Sequence, residues 1–163
     1  MNRRTFLLGG AAAIVGGKAI TSSLFPSHAA GKFEITRTDA EWRRALTPEQ
    51  YYVLRKHGTE RPGSSPLDHE SRTGVFACAG CDLPLFRSND KFDSRTGWPS
   101  FTQPIAGAVA TSQDWGWLGT RTEVHCRRCG GHLGHVFDDG PKPTGLRYCM
   151  NGVALKFSPA QAS

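Results

Sequence analysis

Five cysteines hold most of the chemical information in this chain of 163 residues. Cys78-Ala79-Gly80-Cys81 and Cys126-Arg127-Arg128-Cys129 form two Cys-x-x-Cys knuckles, while Cys149 stands alone. Two residues between thiolates let one tight turn present both sulfurs to a metal, and two such turns complete the tetrahedron of a zinc site. Cys78, Cys81, Cys126 and Cys129 are therefore the expected ligands of one zinc ion. Four thiolates leave no open position for substrate or water, so this zinc is structural. With 44 residues between the knuckles, it would staple distant β elements rather than build a compact zinc ribbon. Disulfide bonding is the alternative, and an exported chain would ordinarily favour it. The matched spacing favours zinc.

Cys149 lies in Leu146-Arg147-Tyr148-Cys149-Met150-Asn151, where a strand would turn Arg147, Cys149 and Asn151 to one side. Arginine beside a thiol favours the reactive thiolate, and asparagine can hydrogen-bond a polar substrate group. The plainer alternative is an inert core thiol. His132 and His135, in Gly131-His132-Leu133-Gly134-His135-Val136-Phe137, offer two imidazoles that could supply a proton close to the second knuckle. Trp98, within Lys91-Phe92-Asp93-Ser94-Arg95-Thr96-Gly97-Trp98-Pro99-Ser100-Phe101, offers an aromatic platform on a turn; alone, such a residue more often fills a core.

Elements that could position these residues are legible. Thr38 or Asp39 can cap a helix through Leu46, and Thr47-Pro48-Glu49-Gln50 is a capping box with proline at the first helical position, in a helix expected to stop at Gly58. Residues 59–73 have loop composition. From Val75 onward, short apolar runs separated by Gly, Pro, Asn and Asp favour antiparallel strands. Val75 to Ala77, Ala108 to Ser112, Thr120 to His125, His135 to Asp138 and Leu146 to Phe157 are the best candidates. The expectation is a mainly β domain with a cover of short N-terminal helices.

The amino terminus reads as an address. Asn2-Arg3-Arg4-Thr5-Phe6-Leu7-Leu8, a small apolar run from Gly9 to Gly17 and Ser27-His28-Ala29 form an export signal over residues 1–29, with a domain over residues 30–163. The paired arginines resemble the twin-arginine type, which carries folded and metal-loaded cargo, and point to a Gram-negative periplasm; a general secretory signal is the alternative. Lys18 cuts the run too early for a membrane span. Without Arg3, Arg4 and Lys18 the formal charge falls from +6 to +3, and the basic residues are scattered, which argues against nucleic acid as a partner.

Together, Gly97-Trp98-Pro99-Ser100-Phe101, the two knuckles, the His132 and His135 segment and Arg147-Tyr148-Cys149-x-Asn151 resemble methionine sulfoxide reductase B, the peptide-methionine (R)-S-oxide reductases. The likeness runs from Lys32 to Phe157 in the family's order, with Gly58-Thr59-Glu60 after the helices and Leu85-Phe86 after the first knuckle. It implies two antiparallel sheets, a structural zinc opposite the active site, and reduction of the R epimer, mainly in peptides, by a monomer recycled by an external thiol or thioredoxin-like reductant.

The resemblance also assigns roles. Cys149 is the nucleophile; His132, His135 and Asn151 handle the sulfoxide oxygen and protons; Arg147 supports the thiolate; Trp98 packs on the S-methyl group. A thiolate attacking the sulfoxide sulfur releases methionine and leaves a sulfenic acid, so no redox cofactor is needed. One departure concerns recycling. Many relatives place a resolving cysteine where this chain reads Ser94-Arg95-Thr96-Gly97, and Thr96 cannot serve. The rival reading, a zinc-ribbon interaction module, leaves Cys149 unexplained.

The address is tested by Arg3→Lys with Arg4→Lys, which keeps charge and removes the recognised side chains. Cell fractionation should show the double variant retained in the cytoplasm. Normal periplasmic accumulation would refute the twin-arginine assignment.

Overall fold

The computed structural model describes residues 33–116 and 119–161, so the export segment lies outside the described residues. Two capping boxes open the chain. Thr38 accepts the backbone N–H of Glu41 while Glu41 accepts that of Thr38, starting α1 (Asp39–Ala45). Thr47 and Gln50 do the same for α2 (Pro48–Lys56). The second helix ends on His57 in the left-handed conformation (φ 55°), one residue before the expected Gly58. Gly58 is needed for a different reason: a Cβ there would lie 2.2 Å from the Tyr52 ring. Trp42, Tyr51, Val53 and Leu54 form the buried side of this helical cover. Residues 59–73 are irregular apart from one 3-10 turn, Pro66–His69, capped by Ser65.

Two antiparallel sheets follow. In the smaller, β1 (Gly74–Cys78) lies between β2 (Pro84–Arg87) and β9 (Leu155–Pro159). The larger runs β3 (Lys91–Phe92), β4 (Ser100–Phe101), β8 (Arg147–Met150), β7 (His132–Phe137), β6 (Gly119–Cys126) and β5 (Val109–Gly116). Phe101 of the larger sheet stacks on Phe86 of the smaller at 4.3 Å and meets Phe76 edge-on at 5.0 Å; all three are fully buried. Each such aromatic pair contributes about 0.5–1.5 kcal/mol beyond area burial.

The expected single strand from Leu146 to Phe157 is two strands in different sheets. After Met150 the chain makes a 3-10 turn, Gly152–Ala154, and crosses over as β9. The cause is a side-chain clamp. Glu60 accepts the backbone N–H groups of Gly152 (2.6 Å) and Val153 (2.8 Å), and Asn151 accepts the N–H of Glu60 (2.9 Å). A Cβ at Gly152 would strike Ser65 Oγ at 2.1 Å.

The knuckles join the sheets. The first turn begins at Cys78, where β1 ends, and the second at Cys126, where β6 ends. Cys129 also ties in α2, because Arg55 donates to its carbonyl at 3.1 Å.

Candidate active site

Register assembles the site. Ser100 of β4 pairs with Cys149 of β8, Cys149 with His135 of β7, His135 with Glu123 of β6, and Glu123 with Ser112 of β5. Residues directly opposite in an antiparallel ladder share a face, so this is one polar row across the larger sheet. A register shift where β7 meets Val124 and His125 adds Leu133 as an extra residue, and bulges of this kind re-aim side chains. His132 accordingly sits 5.4 Å from His135, ring to ring, and reaches Glu123.

Cys149 is half-buried. Burial pushes its thiol above the ordinary value of 9.0, while Thr96, Arg147 and Ser100 pull it down without prevailing. The support expected from Arg147 is present but outweighed by burial. Its guanidinium forks onto Asp139 through two hydrogen bonds of 2.8 Å and lies 4.4 Å over the Phe137 ring. Thr96 Oγ1 stands 3.9 Å from Cys149 Sγ, and Ser94 links Thr96 (2.8 Å) to Ser100 (2.7 Å).

The imidazoles are held by carboxylates that sequence reading passed over. His135 Nε2 is 2.7 Å from Asp114, which also pairs with Arg121 at 2.6 Å. Burial, outweighing Asp114, holds His135 below the ordinary histidine range and so neutral at pH 7. With Nε2–H donated to Asp114, Nδ1 is its basic nitrogen. His132 Nδ1 lies 2.7 Å from Glu123 Oε1, and its buried Nε2 has no hydrogen-bond partner among the described residues. Burial raises Glu123, but hydrogen bonds from His132, His57 and Ser112 override it and keep the carboxylate well below its usual range.

A cleft of about 140 Å³ gathers Thr59, Trp98, Arg121, Gly134, His135, Phe137, Cys149 and Asn151. Trp98 is fixed by its indole N–H to the Glu60 carbonyl (3.2 Å). Trp98 and Phe137 supply aromatic lining beside the sulfur. Asn151 reaches the same cleft, yet its amide also donates to the Leu133 carbonyl (3.0 Å) and its oxygen holds Glu60, so it braces β7 and the crossover. Asp114, Arg121 and Glu123 lie on β5 and β6 and become visible only when strand register is known.

The four other cysteines gather apart from this cleft, their sulfurs all within 4.8 Å of one another. Cys78 and Cys129 are 3.7 Å apart, and Cys81 and Cys126 3.5 Å. These are not disulfide lengths. Tetrahedral zinc with bonds of ~2.3 Å has sulfur–sulfur edges of about 3.8 Å. The donor set therefore fits a metal ion.

Residues 46–159 match the model of the SelR domain. A peptide methionine sulfoxide reductase MsrB of Agrobacterium fabrum is 53% identical over 127 residues, covering 77% of this chain and 94% of its own. The MsrB of Leifsonia xyli subsp. xyli is 56% identical over 131 residues (79% and 94%), and the chloroplastic peptide methionine sulfoxide reductase B1 of Arabidopsis thaliana 52% over 122 residues (74% and 60%). The chain belongs to the SelR family, the B-type methionine sulfoxide reductases. These are oxidoreductases. Of the residues expected at the site, Trp98, His135, Cys149 and Asn151 line the cleft, whereas His132 and Arg147 do not.

The raised thiol gives a pH dependence. A thiol is far less nucleophilic than its thiolate, so alkylation of Cys149 by iodoacetamide, followed by mass spectrometry, should accelerate through alkaline pH with an apparent midpoint above 9.0. A rate already at its plateau at neutral pH would contradict the dominance of burial.

Proposed function

We propose that this chain reduces peptide-bound methionine (R)-sulfoxide to methionine through a sulfenic acid on Cys149, as a repair enzyme for oxidised exported proteins. The observation that carries the reading is the juxtaposition, in one cleft, of Cys149 with the basic His135 across the strand pair and an aromatic lining from Trp98 and Phe137. Family membership supplies the reaction class, reduction of methionine sulfoxide.

In this reading the resting thiol is protonated. His135 Nδ1 takes the proton from Cys149 as the substrate's S-methyl group settles on Trp98. The sulfur of Cys149 then attacks the sulfoxide sulfur, the S–O bond passes its oxygen to Cys149, and the proton returns to that oxygen. Cys149 is oxidised by two electrons and methionine is released. His132 and Asn151 steady the oxygen, and Arg147 favours the thiolate as it forms. Zinc bound by Cys78, Cys81, Cys126 and Cys129 would clamp the two sheets and take no part in the reaction; metal analysis should give one zinc per chain.

The amino-terminal segment supports export to a periplasm. Thr96, 3.9 Å from Cys149, supports a cycle with a single redox cysteine, closed by an external thiol or thioredoxin-like reductant, because a threonine cannot form a disulfide.

Reduced enzyme given excess methionine (R)-sulfoxide peptide without reductant should release nearly one methionine per chain. A sulfenic-acid probe should then label Cys149. Cys149 found in a disulfide with a knuckle cysteine, with zinc released, would overturn the cycle.

A further inference from the structure

A second cluster of donor groups lies apart from the four sulfurs. His57, Glu123 and His132 each bring a ligand atom within 4.8 Å of the other two. Glu123 is the centre. Its Oε1 is 2.9 Å from Nδ1 of His57 and 2.7 Å from Nδ1 of His132. The three come from separate elements: the left-handed end of α2, the middle of β6 and the start of β7. The two rings lie 5.2 Å apart with 36° between their planes.

We infer that His57, Glu123 and His132 form a binding site for a divalent transition-metal ion, separate from the four-cysteine site. Two imidazoles and one carboxylate are a donor set suited to zinc, cobalt or nickel. Both imidazoles already turn their Nδ1 atoms on one oxygen. Exchanging the two Nδ1 protons for one dication moves each proton to Nε2 or to solvent and leaves three donors on the ion. Ser112 donates to the other oxygen of Glu123 at 2.6 Å, which fixes the carboxylate as outer partners of metal ligands do. Access is one-sided. The His57 side chain is 63% exposed and that of His132 2%, so an ion enters over His57 and is backed by the sheet.

Occupancy has a consequence that rests on the reductase reading. A metal on Nδ1 of His132 fixes its tautomer and withdraws it from the chemistry at Cys149, so loading the site slows reduction.

The test adds cobalt(II) to the chain as isolated, with its four-cysteine site already filled. One equivalent should bind and give d–d absorption without thiolate-to-cobalt charge transfer. His57→Asn removes the imidazole while keeping a residue that tolerates left-handed backbone. This variant should keep wild-type melting temperature and basal activity and fail to bind the added ion. No binding by the wild-type chain, binding retained by His57→Asn, or charge-transfer absorption from thiolate ligation would each overturn the site. With zinc as the added ion, wild-type turnover should fall and that of His57→Asn should not. Binding that needs His57 but leaves turnover unchanged would uphold the site and overturn the part given to His132 in the reaction.

Discussion

The position of the Cys149 sulfur depends on the clamp between Glu60 and the crossover after β8. Glu60 accepts the backbone N–H groups of residues 152 and 153 on its carboxylate, donates its own N–H to Asn151 and accepts the Trp98 indole N–H on its carbonyl. One residue of an otherwise irregular loop thereby fixes where the Cys149 strand ends and where the indole stands. Hydrogen bonds to a charged group contribute about 1.5–3 kcal/mol each. Burial raises Glu60 above its ordinary value, against the pull of those N–H groups.

From that fixed end, strand pairing carries order outward. The row from Ser100 through Cys149, His135 and Glu123 to Ser112 needs four correct registers and one bulge. A slip of one residue in β7 would turn His135 to the opposite face and leave Asp114 without it. The four-cysteine cluster guards against such slips from outside, since it joins the ends of β1 and β6, which belong to different sheets. The knuckles join the sheets, and Cys149 sits within the geometry that results.

Local chemistry made the helices and knuckles readable. A capping box is complete within four residues, and a Cys-x-x-Cys turn within four, so both were legible without long-range information. The break inside Leu146 to Phe157 was not, because its cause is Glu60, some 90 residues earlier in the chain. The strands β2, β3 and β4 are four residues or fewer, too short for alternation to show. Arg147 read as a thiolate partner from spacing on its own strand, and it does pull the Cys149 thiol down; the prevailing burial and the sharing of its guanidinium with Asp139 and Phe137 were not legible. The stop at Gly58 illustrates a third limit: glycine marked the right place, but for the Tyr52 ring rather than for its own left-handed turn.

The central claim is that Cys149, in this cleft, performs stereospecific reduction of peptide methionine sulfoxide. Its most direct test separates the two epimers of a methionine sulfoxide peptide and follows each with dithiothreitol as reductant, for the wild-type chain and for Cys149→Ser. The account predicts loss of the R epimer alone with the wild-type chain, and no loss of either with the variant, which should remain folded. Turnover of the S epimer, or turnover that survives Cys149→Ser, would contradict it.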